Sequence, residues 1–119
     1  YKMGAQGYVN PYGNHIPRAT VKFVEWAEKG RWDDVQAVQN IISQFDTIIT
    51  AGHPLYGHQC YSKALAAAAG HPVGDVRAPI TTFESLGAEG RERVARMVPL
   101  MQEIDRIVDT IEARPAAAE

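Results

Sequence analysis

The apolar positions of this chain recur at three- and four-residue intervals over most of its length, the spacing that puts side chains on one face of an α-helix. Val21, Val24 and Ala27, with Phe23 beside them, predict a first helix that Gly30 ends as a C-cap. A second helix is expected to start near Asp33 and Asp34, whose charges suit a helix N-terminus, and to bury Val35, Val38, Ile42, Phe45 and Ile49 before Gly52 and Pro54 stop it. A third, Tyr56 to Ala69, is alanine-rich and closed by Gly70. Its small side chains predict burial between other helices. The last carries Val94, Met97, Val98, Met101, Ile104, Val108 and Ile111, and Pro99 inside that pattern predicts a kink or a break.

Two stretches depart from helical spacing. His71 to Ile80 contains two prolines and a glycine and reads as an extended crossing loop. Gly4 to Tyr12 places the β-formers Tyr8 and Val9 between glycine and proline breakers, which predicts one short strand. A lone strand cannot satisfy its backbone donors and acceptors, so this strand calls for partners that the rest of the chain does not supply. Tyr1 stands where an initiator methionine would, so the chain is expected to begin inside a longer product. The tail from Pro115 to Glu119 is expected to fray.

Composition narrows the function classes. An apolar content of 45% over 119 residues suffices for a core. With 12 basic and 14 acidic residues the net charge is -2, which lacks the positive field of a nucleic-acid binder. No apolar run reaches membrane-spanning length, and the first residues lack the charged and apolar regions expected of a signal peptide. The single cysteine, Cys60, cannot form an intramolecular disulfide and fits a reducing, cytoplasmic setting.

Reactive side chains are densest from His53 to Tyr61, where His53, His58 and Cys60 offer two imidazoles and a thiol. A small metal-binding protein could use these three, but no further Cys-His pair supplies a fourth ligand, and the plainer reading packs Cys60 as a small hydrophobe. A Cys-His nucleophile pair finds no support in the spacing. Lys63, in an apolar helix, could form a Schiff base if burial lowered its pKa; the favoured alternative lays its stem across apolar surface with the ammonium reaching water or a carboxylate. The polar turn Asn10, Pro11, Tyr12, Gly13, Asn14, His15 directly follows the expected strand, where α/β folds place ligands. The same turn also reads as an ordinary connection with Asn14 as helix cap.

Taken together, Gly4-Ala5-Gln6-Gly7, a short strand, Asn14 and Pro17 resemble the eighth strand and following helix of the dihydrodipicolinate synthase and N-acetylneuraminate lyase family. Gly30-Arg31-Trp32, the amphipathic helix, Lys63 and the stretch Gly74-Asp75-Val76-Arg77-Ala78-Pro79-Ile80-Thr81 are similar to its C-terminal helical domain, so the resemblance covers about residues 4–100. It implies a mainly α chain: residues 1–30 as the last β/α unit of a (β/α)8 TIM barrel, and residues 31–119 as a helical domain. The parent would be a lyase forming a lysine Schiff base with a 2-oxo acid such as pyruvate or a keto-deoxy sugar acid, with no cofactor or metal. Condensation, cleavage and dehydration all stay open.

The family's catalytic lysine, tyrosine and carboxylate-binding residues lie on earlier strands, so no catalytic residue is expected in this chain, and Lys63 matches a lysine of the helical domain. Asn10 and Tyr12 would face the substrate. The implied partners are the 2-oxo acid, the missing N-terminal barrel portion and further copies in a homo-oligomer. Asn10-Pro11-Tyr12 replaces the small residues usual after the strand, which leaves the particular substrate undetermined. Beside this stands a rival without the family: a stand-alone helical interaction module, in which the stripes of residues 35–49 and 94–111 form a bundle and a dimer surface.

Overall fold

A computed structural model describes residues 2–50 and 57–114, so the expected stop at Gly52 and Pro54 and the tail from Pro115 lie outside the described residues. Among the described residues the regular elements are all helical: α1 (Pro17–Glu28), α2 (Trp32–Thr50), α3 (Gly57–Ala68) and α4 (Gly87–Glu112), with short 3-10 turns at Pro11–Asn14 and Glu84–Leu86. The mainly α class is therefore what the structure has.

Helix α1 starts on Pro17, whose fixed φ suits a first turn and whose missing N–H has no helical partner to lose. Asn14 is not its cap. Ile16 holds that position without a side-chain hydrogen bond, and the Asn14 amide donates instead to the Pro11 carbonyl at 3.1 Å. The exit from α1 is a Schellman turn: Gly30 takes a φ of 70°, its N–H donates to the Ala27 carbonyl, and the Arg31 N–H donates to that of Trp26. Gly70 ends α3 the same way, at a φ of 90°, with His71 donating to Ala66.

The inward face of α1 differs from the expected one. Ala19, Trp26 and Ala27 are buried, Phe23 packs beside them, and Val21 is 56% exposed. Trp26, by far the largest apolar side chain on the helix, sets the rotation. Its indole N–H also donates to Glu112 on α4 at 3.1 Å, which fixes that orientation.

Helix α2 occupies the middle and packs against α1, α3 and α4. Val38, Ile42, Phe45 and Ile49 are buried as expected, and Ile41 and Ile48 widen the apolar face to serve three neighbours. Asp34 in its first turn accepts from Arg31 at 2.7 Å and from Arg114 at 3.0 Å, tying the start of α2 to the end of α4. At the other end, the buried Arg93 of α4 donates to the Ile48 carbonyl at 2.8 Å and pairs with Glu89. Helix α3 is not sandwiched: Cys60, Tyr61, Leu65 and Ala66 are buried, while Ala67 and Ala68 are exposed, because the irregular segment 71–83 leaves its outer side to solvent.

Pro99 does not break α4. It lies on the exposed face, as does Ala95, whose carbonyl loses its helical donor to the proline and is left facing water. Met97, Met101, Ile104, Val108 and Ile111 on the opposite face are buried along both halves, and that packing outweighs the one lost hydrogen bond.

The expected strand between Gly4 and Tyr12 is not formed. Residues 5–10 have no regular structure, and none of the backbone–backbone hydrogen bonds among the described residues involves them. A strand is defined by its ladder, and no second strand lies alongside among the described residues. The segment is nevertheless held against α1: the Tyr8 ring stacks on Phe23 at 5.7 Å, and the Asn10 amide donates to Thr20 at 3.2 Å. A single buried cluster joins Tyr12, Ile16, Ala19 and Trp26 to the apolar faces of α2, α3 and α4, so residues on both sides of Gly30 share one core.

Thermal or urea unfolding distinguishes the two faces of α1. Trp26→Ala is expected to cost about 3–5 kcal/mol, whereas Val21→Ser should stay within about 0.5 kcal/mol of the parent.

Candidate functional site

The turn that carries Asn10 and Tyr12 is built by its own polar groups. Asn10, with extended backbone, caps the 3-10 turn: its side-chain oxygen accepts the Tyr12 N–H at 2.8 Å while its amide donates to Thr20. The Thr20 hydroxyl in turn donates to the Ile16 carbonyl at 3.1 Å. The Tyr12 carbonyl accepts from the backbone N–H groups of both His15 and Ile16, which closes the turn into α1.

Tyr12 is buried beneath this turn, and its hydroxyl donates to the Asp46 carboxylate on α2. Burial, followed by that hydrogen bond, holds the phenol well above its usual range, so it stays protonated and a donor. Tyr8 is also raised, by burial and then by the charge of Asp46, so two phenols of the N-terminal segment lie near one carboxylate. His15 is the other buried polar group here. Its ring lies edge-on to Tyr12 at 5.8 Å and tilted against Phe45 at 5.8 Å, and neither ring nitrogen has a hydrogen-bond partner among the described residues. Burial and then the neighbouring His58 lower it to about 4, so the imidazole is neutral near pH 7. His58, in the first turn of α3, has its ring 6.3 Å from that of Tyr12.

The structure thus gathers Asn10, Tyr12, His15, Asp46 and His58 from the turn, α2 and α3. Asn10 and Tyr12 were legible from their place in the turn; His15, Asp46 and His58 were not singled out as partners. His15 ends the polar run that begins at Asn10 and His58 lies in the His53 to Tyr61 cluster, whereas nothing local in the sequence ties Asp46 to the turn. Both side-chain polar atoms of Asn10 and the hydroxyl of Tyr12 are occupied in shaping the turn. Whatever meets this loop meets a fixed surface, with Asp46 as its exposed charge.

The cluster from His53 to Tyr61 comes together less well. His53 and Tyr56 lie outside the described residues, and among those described no group of three His, Cys, Asp or Glu residues is placed to hold a metal ion. His58 and Cys60 are two positions apart on α3 and so point to different sides of it. Cys60 is 1% exposed, and burial pushes its thiol up, which disfavours the thiolate that a nucleophile needs. Lys63 reaches a backbone carbonyl, that of Val73, at 3.3 Å, beside a cleft of about 450 Å³ also lined by Phe83 and Arg91.

Comparison with protein-family models, curated proteins and solved structures finds no match to this chain.

A double-mutant cycle measures the bond that seats the turn. Tyr12→Phe and Asp46→Asn should each destabilise, and their coupling should be about 1–2 kcal/mol, the range for a hydrogen bond to a charged acceptor reduced by the exposure of Asp46.

Proposed function

We propose that this chain is the last β/α unit and the helical extension of a (β/α)8 barrel lyase of the dihydrodipicolinate synthase and N-acetylneuraminate lyase type, acting on a 2-oxo acid through a lysine outside these residues. The observation that carries the reading is the N-terminal segment. Residues 5–10 lie along α1 through Tyr8 on Phe23 and Asn10 on Thr20, in the back-to-back order of a strand and its following helix. Val9 is 98% exposed, and no backbone–backbone hydrogen bond among the described residues involves the segment. Flanking barrel strands would pair that backbone and cover Val9, and the exposed Val21 of α1 would meet a neighbouring barrel helix.

In this reading the turn from Asn10 to His15 lies at the top of the barrel, where substrate binds. Asn10 and Tyr12 act there by holding the loop in shape. Lys63, engaged with Val73, stays out of the chemistry. Pyruvate or a keto-deoxy sugar acid is the substrate, no cofactor is needed, the setting is cytoplasmic, and the assembly is a homo-oligomer. No helix among the described residues is long and apolar enough to cross a membrane. The rival reading, a stand-alone helical module, draws on the continuous core shared by all four helices, and the same experiment separates the two.

Borohydride reduction of the complete gene product in the presence of pyruvate, followed by peptide mapping, tests the proposal. A reduced adduct on a lysine outside these 119 residues is the expected result. An adduct on Lys63, or none with pyruvate or keto-deoxy sugar acids, would overturn it.

A further inference from the structure

We propose that His15 is an acid-operated latch: its neutral ring locks the turn Pro11–Asn14 under α2 and α3, and its protonated ring leaves that pocket for the cleft it borders, where Asp105 receives it. The inference concerns contacts within this chain and stands apart from the lyase reading.

Three observations support it. The ring is buried against Tyr12 and Phe45, with both nitrogens unpartnered among the described residues, so the pocket offers an imidazolium no acceptor. Of the groups around it, His58 on α3 raises the cost of protonation, and the Asp46 carboxylate on α2, which accepts from Tyr12 of the turn, makes no hydrogen bond to the ring. Finally, His15 also borders a cleft of about 560 Å³ between the start of α1, the end of α3 and α4, with Arg18, His71, Asp105 and Asp109 as its ionisable lining. Arg18 pairs with Asp109 at 2.5 Å, whereas Asp105 has no ion pair among the described residues. A cation leaving the buried pocket therefore meets, within the same cleft, a carboxylate that feels the Arg18 charge but forms no ion pair with it.

The consequence follows from linkage. The closed ring titrates near 4 and a solvated imidazole near 6.5, so the released state binds the proton more tightly. The closed form is fully favoured above about pH 6.5. Each pH unit below that shifts the balance about tenfold toward release, until the closed form itself protonates near pH 4. Release moves the His15 backbone, whose N–H is bonded to the Tyr12 carbonyl, and so frees Tyr12 from Asp46 and Asn10 from Thr20.

Proton NMR of the histidine rings, followed from pH 7.5 to 4 with the Asn10 side-chain amide as a reporter of the turn, tests this directly. The expected result is that His15 and the Asn10 amide change together below pH 6 while the core signals of Phe45 and Trp26 persist. Asp105→Asn, a change in the cleft lining outside the core, should move that transition to lower pH, and His15→Phe should abolish it. The latch is overturned if His15 titrates without the Asn10 amide responding, if Asp105→Asn leaves the midpoint unchanged, or if the core signals are lost in the same step.

Discussion

Helix α2 carries more apolar surface than one neighbour could cover: Val38, Ile41, Ile42, Phe45, Ile48 and Ile49 are all buried, and α1, α3 and α4 each pack on part of it. Removing that surface from water is the largest favourable contribution available to a chain of this size, and the other helices are placed by how they contribute to it. Phe45 at its middle touches His15 and Tyr12 of the N-terminal turn, so the candidate site is an outgrowth of the same core. The turn is closed locally by Asn10, Thr20 and the Tyr12 carbonyl, and α2 fixes where it sits. Its position is inherited from α2, through Phe45 by packing and through Asp46 by hydrogen bonding.

Charged groups then fix what apolar packing leaves loose. Apolar contact is non-directional and would tolerate sliding of α4 along α2. Asp34 at the start of α2 receives Arg114 from the end of α4, and Arg93 near the start of α4 takes a carbonyl in the last turn of α2. These clamps lie at opposite ends of an antiparallel pair and act against each other's displacement. With the register pinned at both ends, α4 runs unbroken through Pro99, and the exposed position of that residue lets the freed carbonyl hydrate.

Local chemistry made much of this legible in the sequence. Gly30 and Gly70 marked the ends of α1 and α3 because a left-handed residue is needed there, and the stripe of α2 was read because six buried residues dominate its spacing. The face of α1 was read in part: Ala27 is buried and Phe23 packs on the core as expected, but Val21 is exposed, because Trp26 with its hydrogen-bonded indole sets the rotation. The irregular 5–10 segment was read as a strand because β propensity describes residues that fit a sheet, and a sheet is a property of several segments. The Tyr12 to Asp46 bond spans 34 positions and involves residue types found on any surface, so no periodicity could announce it. The burial of His15 was hidden for the same reason.

What distinguishes the N-terminal side from the rest is the unequal treatment of polar groups. Along α1 to α4 the exits of α1 and α3, the inter-helix carboxylates and even a mid-helix proline are accommodated, whereas residues 5–10, with Val9 fully exposed, show no backbone pairing among the described residues. Covering Val9 alone would contribute about 1.5–3 kcal/mol, and pairing the backbone beside it would add about 0.5–1.5 kcal/mol per hydrogen bond. The same segment is held in place by Tyr8 on Phe23 and Asn10 on Thr20, contacts that work against its ordering cost. An ordered segment without backbone pairing among the described residues and with Val9 exposed is what the proposed reading rests on, more than any reactive side chain in the helices.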